Sequence, residues 1–190
     1  MRLNETQLIH LALQGDTAAW EPLVLTHQEA VFRLAYLFLH DADEAEDIAQ
    51  ETFLRAYHML SRFDTSRPLR PWLLGIASNM ARNRIRSAGR YLAALVRSYR
   101  TSPPQSVNTE EKSSQRWESQ TLWKAVQSLD TSDQQVIYLR FFLELSVSET
   151  ADTMAVAEGT VKSRLNRALG RLRKVIQREF PALQERTVEW

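Results

Sequence analysis

Apolar residues recur every three or four positions along most of this chain, and residues that break helices are scarce. With 5 glycines and 6 prolines in 190 residues, the spacing is typical of amphipathic helices and predicts an all-α fold. In the N-terminal half the predicted helices cover Glu5–Gln14, Thr17–Leu39, Asp43–Leu60 and Trp72–Arg86 or beyond. In the C-terminal half they cover Trp117–Leu129, Ser132–Leu143, Val147–Met154 and Glu158–Glu179.

Polar residues suited to helix capping stand at several of these starts. Asp16 is the predicted N-cap of the second helix. Three pairs have the four-residue spacing of a capping box, in which each side chain accepts a hydrogen bond from the other residue's backbone N–H. These pairs are Asp41 with Glu44, Thr131 with Gln134, and Ser146 with Glu149.

The helical periodicity fades between Ala94 and Trp117, where a stretch rich in Ser, Thr and Pro is typical of a linker. We therefore predict two small helical domains joined by a flexible linker. The predicted division is 1–93 for the first domain, 94–116 for the linker, 117–180 for the second domain and 181–190 for a tail.

Acidic and basic residues are separated along the chain, although the formal net charge is only +1. Residues 1–60 hold 3 basic and 10 acidic side chains, whereas residues 61–100 hold 9 basic ones and a single acid, Asp64. Residues 136–178 are again basic, with 8 basic and 4 acidic side chains. Such alternation offers one surface to a basic partner and two to a polyanion, which favours an adaptor between a protein and a nucleic acid.

Several classes of protein are disfavoured by what the sequence lacks. There is no cysteine, which excludes disulfides, thiolate nucleophiles and cysteine-ligated zinc. The four histidines, His10, His27, His40 and His58, show no metal-ligand spacing, and no glycine-rich phosphate loop occurs. We predict no catalytic site, metal or cofactor. The sequence has neither a signal peptide nor an apolar run of about 20 residues. We therefore expect a soluble cytoplasmic protein.

The segment Ser146–Glu179 has the layout of a helix-turn-helix, with a short capped helix, a turn near Ala155–Ala157 and a longer helix. One face of the longer helix is an apolar stripe of Val161, Leu165, Ala168, Leu169, Leu172, Val175 and Ile176, and the other carries Lys162, Ser163, Asn166, Arg167, Arg171 and Lys174. Residues near the start of such a helix enter the major groove, where Lys and Arg suit guanine and Asn suits adenine. The competing interpretation is a basic face that is merely solvated.

The helix from Trp72 is basic on one side. Leu73, Ile76, Ala77 and Met80 form its predicted buried stripe, while Trp72, Gly75, Asn79, Arg82, Asn83 and Arg86 recur on the other side. Asn and Arg beside an aromatic suit phosphates and unstacked bases. Gly75 indicates close approach of a partner or, equally, tight helix packing, and core packing is the alternative for Trp72. Upstream, Phe63–Arg70 is predicted to be a stiff basic loop.

The helix Asp43–Leu60 is acidic on one side. Its predicted inward residues are Ala45, Ile48, Ala49, Thr52, Phe53 and Ala56, and its outer residues are Glu46, Asp47, Gln50, Glu51 and Leu54. The helix dipole explains acids in the first turns, but it does not explain Gln50, Glu51 and an exposed Leu54. An acidic stripe with an apolar member indicates a docking face for a basic protein helix.

Three strings in this order carry a family resemblance: Asp43–Phe53, Pro71–Trp72–Leu73 through Asn79, and Gly159–Leu165. Over nearly its whole length the chain resembles bacterial RNA polymerase sigma factors of the extracytoplasmic-function (ECF) group. The resemblance implies sigma-2-like and sigma-4-like domains that bind core polymerase and direct it to promoters. The implied partners are the clamp helices of the largest subunit, the flap of the second-largest subunit, promoter DNA and an anti-sigma factor.

The resemblance also implies a role for each surface. Core polymerase would be bound by Glu46, Asp47, Gln50, Glu51 and Leu54. The minus-ten element would be opened and held by Phe63, Arg67, Leu69, Arg70, Trp72, Asn79, Arg82, Asn83 and Arg86. The minus-thirty-five element would be read by Thr160, Lys162, Ser163, Arg164, Asn166 and Arg167.

Two departures from the family pattern affect these expectations. Relatives usually have Gly near Ala155 in the turn and Ser or Pro at Ala157, so we expect Ala155 to hold the turn without a strongly left-handed backbone. Leu69 stands where many relatives have an aromatic residue.

Two other functions remain open. A sigma-like decoy or scaffold would bind a regulatory protein but no promoter, and its basic faces would be eroded. A two-domain helix-turn-helix regulator would need neither the acidic helix nor the basic loop. In this sequence the basic faces are intact, and the acidic helix and the basic loop are both present.

Overall fold

The computed structural model describes residues 3–98 and 114–180, with side chains described over 3–90 and 120–180. The N-terminal part contains α1 (Glu5–Leu13), a 3₁₀ turn (Thr17–Ala19), α2 (Trp20–Leu39), α3 (Ala42–Met59), a second 3₁₀ turn (Leu60–Arg62) and α4 (Leu69–Ser98). The C-terminal part contains α5 (Ser114–Gln127), α6 (Thr131–Ile137), a π-helical turn (Tyr138–Phe142), α7 (Val147–Met154) and α8 (Glu158–Glu179). All regular elements in these ranges are helical, which confirms the all-α prediction.

In the N-terminal part, α2, α3 and α4 pack against one another around buried residues such as Val31, Leu34 and Leu73. All six residues predicted to face inward on α3 are buried. The predicted caps are present in part. The Asp16 carboxylate accepts from the Ala18 N–H at 3.0 Å, but it caps the 3₁₀ turn that precedes α2 rather than α2 itself. The Asp41 carboxylate accepts from the Glu44 N–H at 2.9 Å, which is one of the two bonds of the predicted capping box.

In the C-terminal part, one predicted capping box is confirmed and another is wrong. Ser146 and Glu149 form both reciprocal bonds, at 3.1 and 2.8 Å. At α6 the cap is instead Asp130, whose carboxylate accepts from the Ser132 and Asp133 N–H groups. A charged carboxylate that binds two free N–H groups at the positive end of the helix is a stronger cap than the Thr131 hydroxyl.

The predicted helix Ser132–Leu143 is not continuous, because α6 ends at Ile137 and a π-helical turn follows. This wider turn brings the Tyr138 and Phe142 rings against Trp123, and the ring centroids of the three residues lie 5.5–5.8 Å apart. Such aromatic contacts stabilise by more than their buried area alone.

The expectation about the turn at Ala155 is wrong, since Ala155 is left-handed with φ 51°. The Val156 N–H donates to the Ala151 carbonyl at 3.0 Å, a bond that closes the end of α7. Such a six-residue closure requires a left-handed residue at this position, whatever its side chain.

The two halves of the chain pack into one continuous hydrophobic core. Helix α4 contacts α2 and α3 on one side and α7 on the other. Its second face includes Leu74, Ser78 and Ala81, all fully buried, and this face was not predicted.

Helix α4 continues to Ser98, inside the range predicted as linker, and α5 begins at Ser114. The remainder of the predicted linker, 99–113, and the predicted tail, 181–190, lie outside the described residues. Within the described ranges, no helix combines the length and the apolar character that crossing a membrane requires.

Candidate docking and nucleic-acid-binding surfaces

The outer side of α3 is an exposed acidic face, as predicted from the sequence. Glu46, Asp47, Gln50 and Leu54 are exposed, and 63% of Leu54 is accessible to solvent. Glu51 is half-buried and forms an ion pair with Arg55 at 2.5 Å, one turn along the same helix. An apolar side chain held in water beside carboxylates is typical of a surface that a partner covers.

Two apolar hollows flank this acidic face, and the sequence analysis missed them. One is lined by Gln28, Glu29, Phe32, Glu46, Ala49, Gln50 and Phe53, the other by Thr17, Trp20, Val24, Gln50, Phe53, Leu54 and Tyr57. Helix α2 adds exposed apolar side chains at Leu25, Phe32 and Tyr36. The sequence carries a signal for this surface, because apolar residues lie on nearly every side of α2. A helix with one buried face needs only a single apolar stripe.

A cleft opens between the basic loop and the start of α4, and the loop is shorter than predicted because Leu69 and Arg70 already belong to α4. It is lined by Arg62, Phe63, Asp64, Arg67, Pro68, Pro71, Trp72 and Asp152. The Phe63 and Trp72 rings are in contact, with centroids 4.8 Å apart. Asp64 fixes the loop, because its carboxylate accepts from both the hydroxyl and the N–H of Ser66. These bonds, with the nearby Arg67, lower the pKa of Asp64.

The residues predicted to hold the minus-ten strand differ in accessibility. Arg67, Asn79, Asn83 and Arg86 are exposed, Trp72 is half-buried, and Phe63 and Leu69 are buried. Leu69 is fully buried in the core and its N–H donates to the Glu5 carboxylate at 3.2 Å. In this conformation Leu69 therefore offers no surface to DNA, and the aromatic wall of the cleft comes from Phe63 and Trp72.

Two further residues of that set are engaged with the C-terminal half. The Arg70 guanidinium donates to the Leu143 carbonyl at 3.1 Å, and that of Arg82 donates to the Gln135 side-chain oxygen at 2.8 Å. Burial, and then the positive charges of Arg86 and Arg164, lower the pKa of Arg82. The basic end of α4 therefore lies near the basic face of α8.

Helix α8 carries the predicted duplex-reading residues near its N-terminus. Lys162, Ser163, Asn166 and Arg167 are exposed, and Thr160 and Arg164 are half-buried. Of the predicted apolar stripe, Leu169 is 39% exposed, whereas Val161, Ala168 and Leu172 are buried.

Arg171, which the sequence placed on the polar face of α8, forms an ion pair with the buried Asp133 at 2.5 Å. The hydrogen bond to that carboxylate raises the pKa of Arg171. This pair links α8 to α6 on the C-terminal side of the exposed residues Lys162, Ser163, Asn166 and Arg167.

Two family models match the chain. Sigma-70 region 2 matches residues 23–91, and Sigma-70 region 4 matches residues 125–174. Among curated proteins, the RNA polymerase sigma-H factor of Pseudomonas aeruginosa is 31% identical, over 96% of this chain and 97% of its own length. The ECF RNA polymerase sigma factor SigW of Bacillus subtilis is 33% identical, over 86% of this chain and 92% of its own length.

Solved structures of complexes share the architecture. CnrH, solved with the cytosolic domain of CnrY, is similar with a TM-score of 0.67 and 25% identity, over 92% of this chain and 98% of that one. The sigma factor RpoE of Bartonella quintana, solved with the anti-sigma factor NepR, has a TM-score of 0.63 and 25% identity, over 84% of this chain and 97% of that one.

Proposed function

The chain belongs to the ECF group of RNA polymerase sigma factors, which direct the polymerase to promoters, and from this premise we propose which surface performs each step. The acidic face of α3 docks on core polymerase. The cleft and the exposed side of α4 capture the unpaired minus-ten strand. The start of α8 reads the minus-thirty-five element as duplex.

The separation of opposite charges onto different helices supports this assignment most strongly. The exposed face of α3 carries Glu46, Asp47 and Gln50 around Leu54, a surface that complements a basic helix and repels DNA. The two flanking hollows accept apolar side chains of the polymerase clamp helices. Leu25, Phe32 and Tyr36, exposed on α2, extend the docking surface beyond the residues predicted from the sequence.

In this proposal, promoter opening requires no energy source in the chain itself. A protein that binds single-stranded DNA better than duplex shifts the melting equilibrium by that difference in affinity. Flipping a base out of the stack costs a few kcal/mol, and stacking on an aromatic side chain returns about 1–3 kcal/mol per base. Phe63 and Trp72 supply the aromatic surface, while Arg67, Asn79, Asn83 and Arg86 bind the backbone and the neighbouring bases.

Duplex recognition falls to the first turns of α8. Lys162, Asn166 and Arg167 are exposed there, and they match the donors and acceptors that the major groove presents. Thr160, Ser163 and Arg164 complete the predicted contact set, in which Ser and backbone groups bind phosphates.

We further propose that the chain has no enzymatic activity of its own and works in the cytoplasm with the polymerase. It also binds the flap of the second-largest subunit and an anti-sigma factor. The solved complex of the similar RpoE with the anti-sigma factor NepR supports the last of these partners.

The assignment is tested by reversing charge on α3 in the full chain. Glu46→Lys with Glu51→Lys should weaken binding to core polymerase about tenfold or more, whereas salt-dependent binding to non-specific duplex DNA should not weaken, because the added positive charge favours DNA. The control carries the same charge change elsewhere, at Glu21 and Glu179, both exposed. Equal loss of both activities, or unchanged polymerase binding, would contradict the assignment.

A further inference from the structure

Glu5, in the first turn of α1, is bound by two other helices of the N-terminal half. One carboxylate oxygen, Oε2, lies 2.9 Å from the Nε2 atom of His27 on α2. The other, Oε1, accepts a hydrogen bond from the Leu69 N–H at the start of α4, at 3.2 Å. A single side chain therefore joins α1, α2 and α4, and it belongs to none of the three assigned surfaces.

The start of α4 takes its side-chain acceptor from a distant part of the chain. Pro68, which stands at the cap position, has no acceptor in its side chain, whereas α1, α3 and α7 are capped by Asn4, Asp41 and Ser146. The first N–H groups of a helix have no partner within it, and the helix dipole favours a carboxylate there. Glu5 supplies that carboxylate to α4 from 64 positions away.

His27 holds the carboxylate from inside the core. Only 6% of His27 is accessible, and a buried imidazole without a polar partner would be destabilising. Leu23 and Val31, one turn away on either side, are also buried, so the packing of α2 holds the ring in place. The Glu5 carboxylate is therefore fixed by α2 on one side and presents its second oxygen to α4.

The basic loop is anchored by backbone hydrogen bonds at both ends. At its start the Phe63 N–H donates to the Leu60 carbonyl at 3.0 Å, and at its end the Leu69 N–H donates to Glu5. Burial of the Leu69 side chain keeps this end in the core, but the hydrophobic effect has no direction. A hydrogen bond does have a preferred direction, so the bond to Glu5 sets the angle at which the chain enters α4.

The aromatic wall of the cleft is built across this junction. Phe63 precedes the junction and Trp72 lies in the first turn of α4. Their rings are in contact, with centroids 4.8 Å apart and planes at 41°. A shift in the start of α4 moves one ring relative to the other and changes the surface on which an unstacked base would rest.

We propose that Glu5 is a positioning residue for promoter opening. Held by His27, its carboxylate fixes the start of α4 and with it the relative placement of Phe63 and Trp72, which receive the unpaired strand. Glu5 acts through Leu69 and does not touch DNA. This inference rests on the proposed role of the cleft, and it extends the machinery of opening to α1, which carries none of the assigned residues.

The test uses the full chain bound to core polymerase, on a duplex fragment whose start site has been mapped. Glu5→Ala removes both bonds and should slow opening of the minus-ten region, followed by permanganate reactivity of unpaired thymines, about fivefold or more. Glu5→Gln keeps an acceptor for the Leu69 N–H and an amide donor for the His27 ring, so opening should stay within about twofold of wild type. Affinity for the unopened duplex should be unchanged in both variants.

Asp41→Ala is the matched control. It removes the same charge and a similar bond, because the Asp41 carboxylate accepts from the Glu44 N–H at the start of α3, at 2.9 Å. Loss of such a cap lowers stability wherever it occurs, so a merely structural role for Glu5 predicts equal opening by the two alanine variants. That equality, or the same slowing in Glu5→Gln as in Glu5→Ala, would overturn the proposal.

Should Glu5→Ala not fold, Glu5→Asp replaces it. Its carboxylate has the same charge on a side chain one methylene shorter, which cannot keep the bond to His27 and reach the Leu69 N–H together. We expect opening to slow about threefold or more. Opening at the wild-type rate would contradict the proposal.

Failure of the proposed function gives a different pattern. Amide hydrogen exchange at Leu69, measured on the full chain without DNA, should be faster in Glu5→Ala than in Asp41→Ala whether or not the cleft binds a strand. Equal exchange would contradict the positioning role alone. Trp72→Ala tests the cleft with Glu5 in place, and opening at the wild-type rate by this variant would contradict the assignment of the cleft.

Discussion

The Phe38 ring at the end of α2 meets the edge of the Tyr138 ring in the π-helical turn, with centroids 5.3 Å apart and planes at 81°. Both rings are buried, with 3% of Phe38 and none of Tyr138 accessible. This contact joins the cores of the two halves. Burial raises the pKa of the Tyr138 phenol, and its hydroxyl is buried without a hydrogen-bond partner.

Tyr138→Phe should therefore stabilise the chain. The substitution keeps the edge-to-face contact and removes a buried, unsatisfied hydroxyl, whose burial costs about 1–3 kcal/mol. We expect the free energy of unfolding in urea to rise by about 1 kcal/mol. The matched control is Tyr57→Phe, at a half-buried tyrosine beside Trp20, which should change stability by less than about 0.5 kcal/mol. Destabilisation by Tyr138→Phe would mean that the hydroxyl has a partner.

Ala155→Gly should also stabilise the chain. Ala155 holds φ 51° to close α7, and a left-handed backbone costs a non-glycine residue about 1–2 kcal/mol. We expect a gain of about 1 kcal/mol in the free energy of unfolding, after the greater entropy of glycine in the unfolded chain is subtracted. Ala155→Val should instead lower the free energy of unfolding, because a β-branched residue is more strained at the same positive φ. Loss of stability in both variants would contradict the left-handed turn.

Packing of the two halves should weaken in mild acid through His40. The ring lies edge-on to Trp123, with centroids 5.4 Å apart, and its Nε2 lies 3.2 Å from the Gln127 amide nitrogen. Burial lowers the pKa of His40. The neutral ring is therefore favoured in the packed state, and its contribution to stability is present above about pH 6.5 and lost as the pH falls through the lowered pKa.

His40→Asn isolates this effect. His40 is left-handed, with φ 59°, and Asn tolerates that backbone and does not titrate. The measurement is the free energy of unfolding of both chains between neutral and mildly acidic pH. We expect the wild-type chain to lose stability relative to the variant as the pH falls. A constant difference across this range would show that His40 does not couple protonation to packing.

Local signals explain the parts of the fold that sequence reasoning predicted well. The bounds of α7 and α8 match the structure residue for residue, because Ser146, Glu149 and the helical periodicity act within a few residues of one another. The predicted inward face of α3 is likewise confirmed, because a single stripe of small and apolar residues packs against α2 and α4.

The features that sequence reasoning missed depend on residues far apart in the chain. The second buried face of α4, at Leu74, Ser78 and Ala81, lies against the C-terminal half, where α7 packs on α4 and Gln135 of α6 donates to the Ser78 hydroxyl. No periodicity within α4 separates this face from a side proposed to bind DNA. The left-handed Ala155 follows from the hydrogen bonds that end α7 rather than from its side chain. Leu69 was assigned to DNA by position in the family pattern, and its burial follows from the core that it joins.

Initiation in vitro tests the central claim most directly. Core RNA polymerase from the encoding bacterium is incubated with fragments of that genome, with and without this chain, and transcript start sites are mapped. We predict transcripts that core polymerase alone does not make, all preceded by a shared pair of elements near minus ten and minus thirty-five. The same reaction with Lys162→Glu and Arg167→Glu should lose them. If the chain yields no promoter-dependent transcript from any fragment, the account of it as a promoter-directing sigma factor is contradicted.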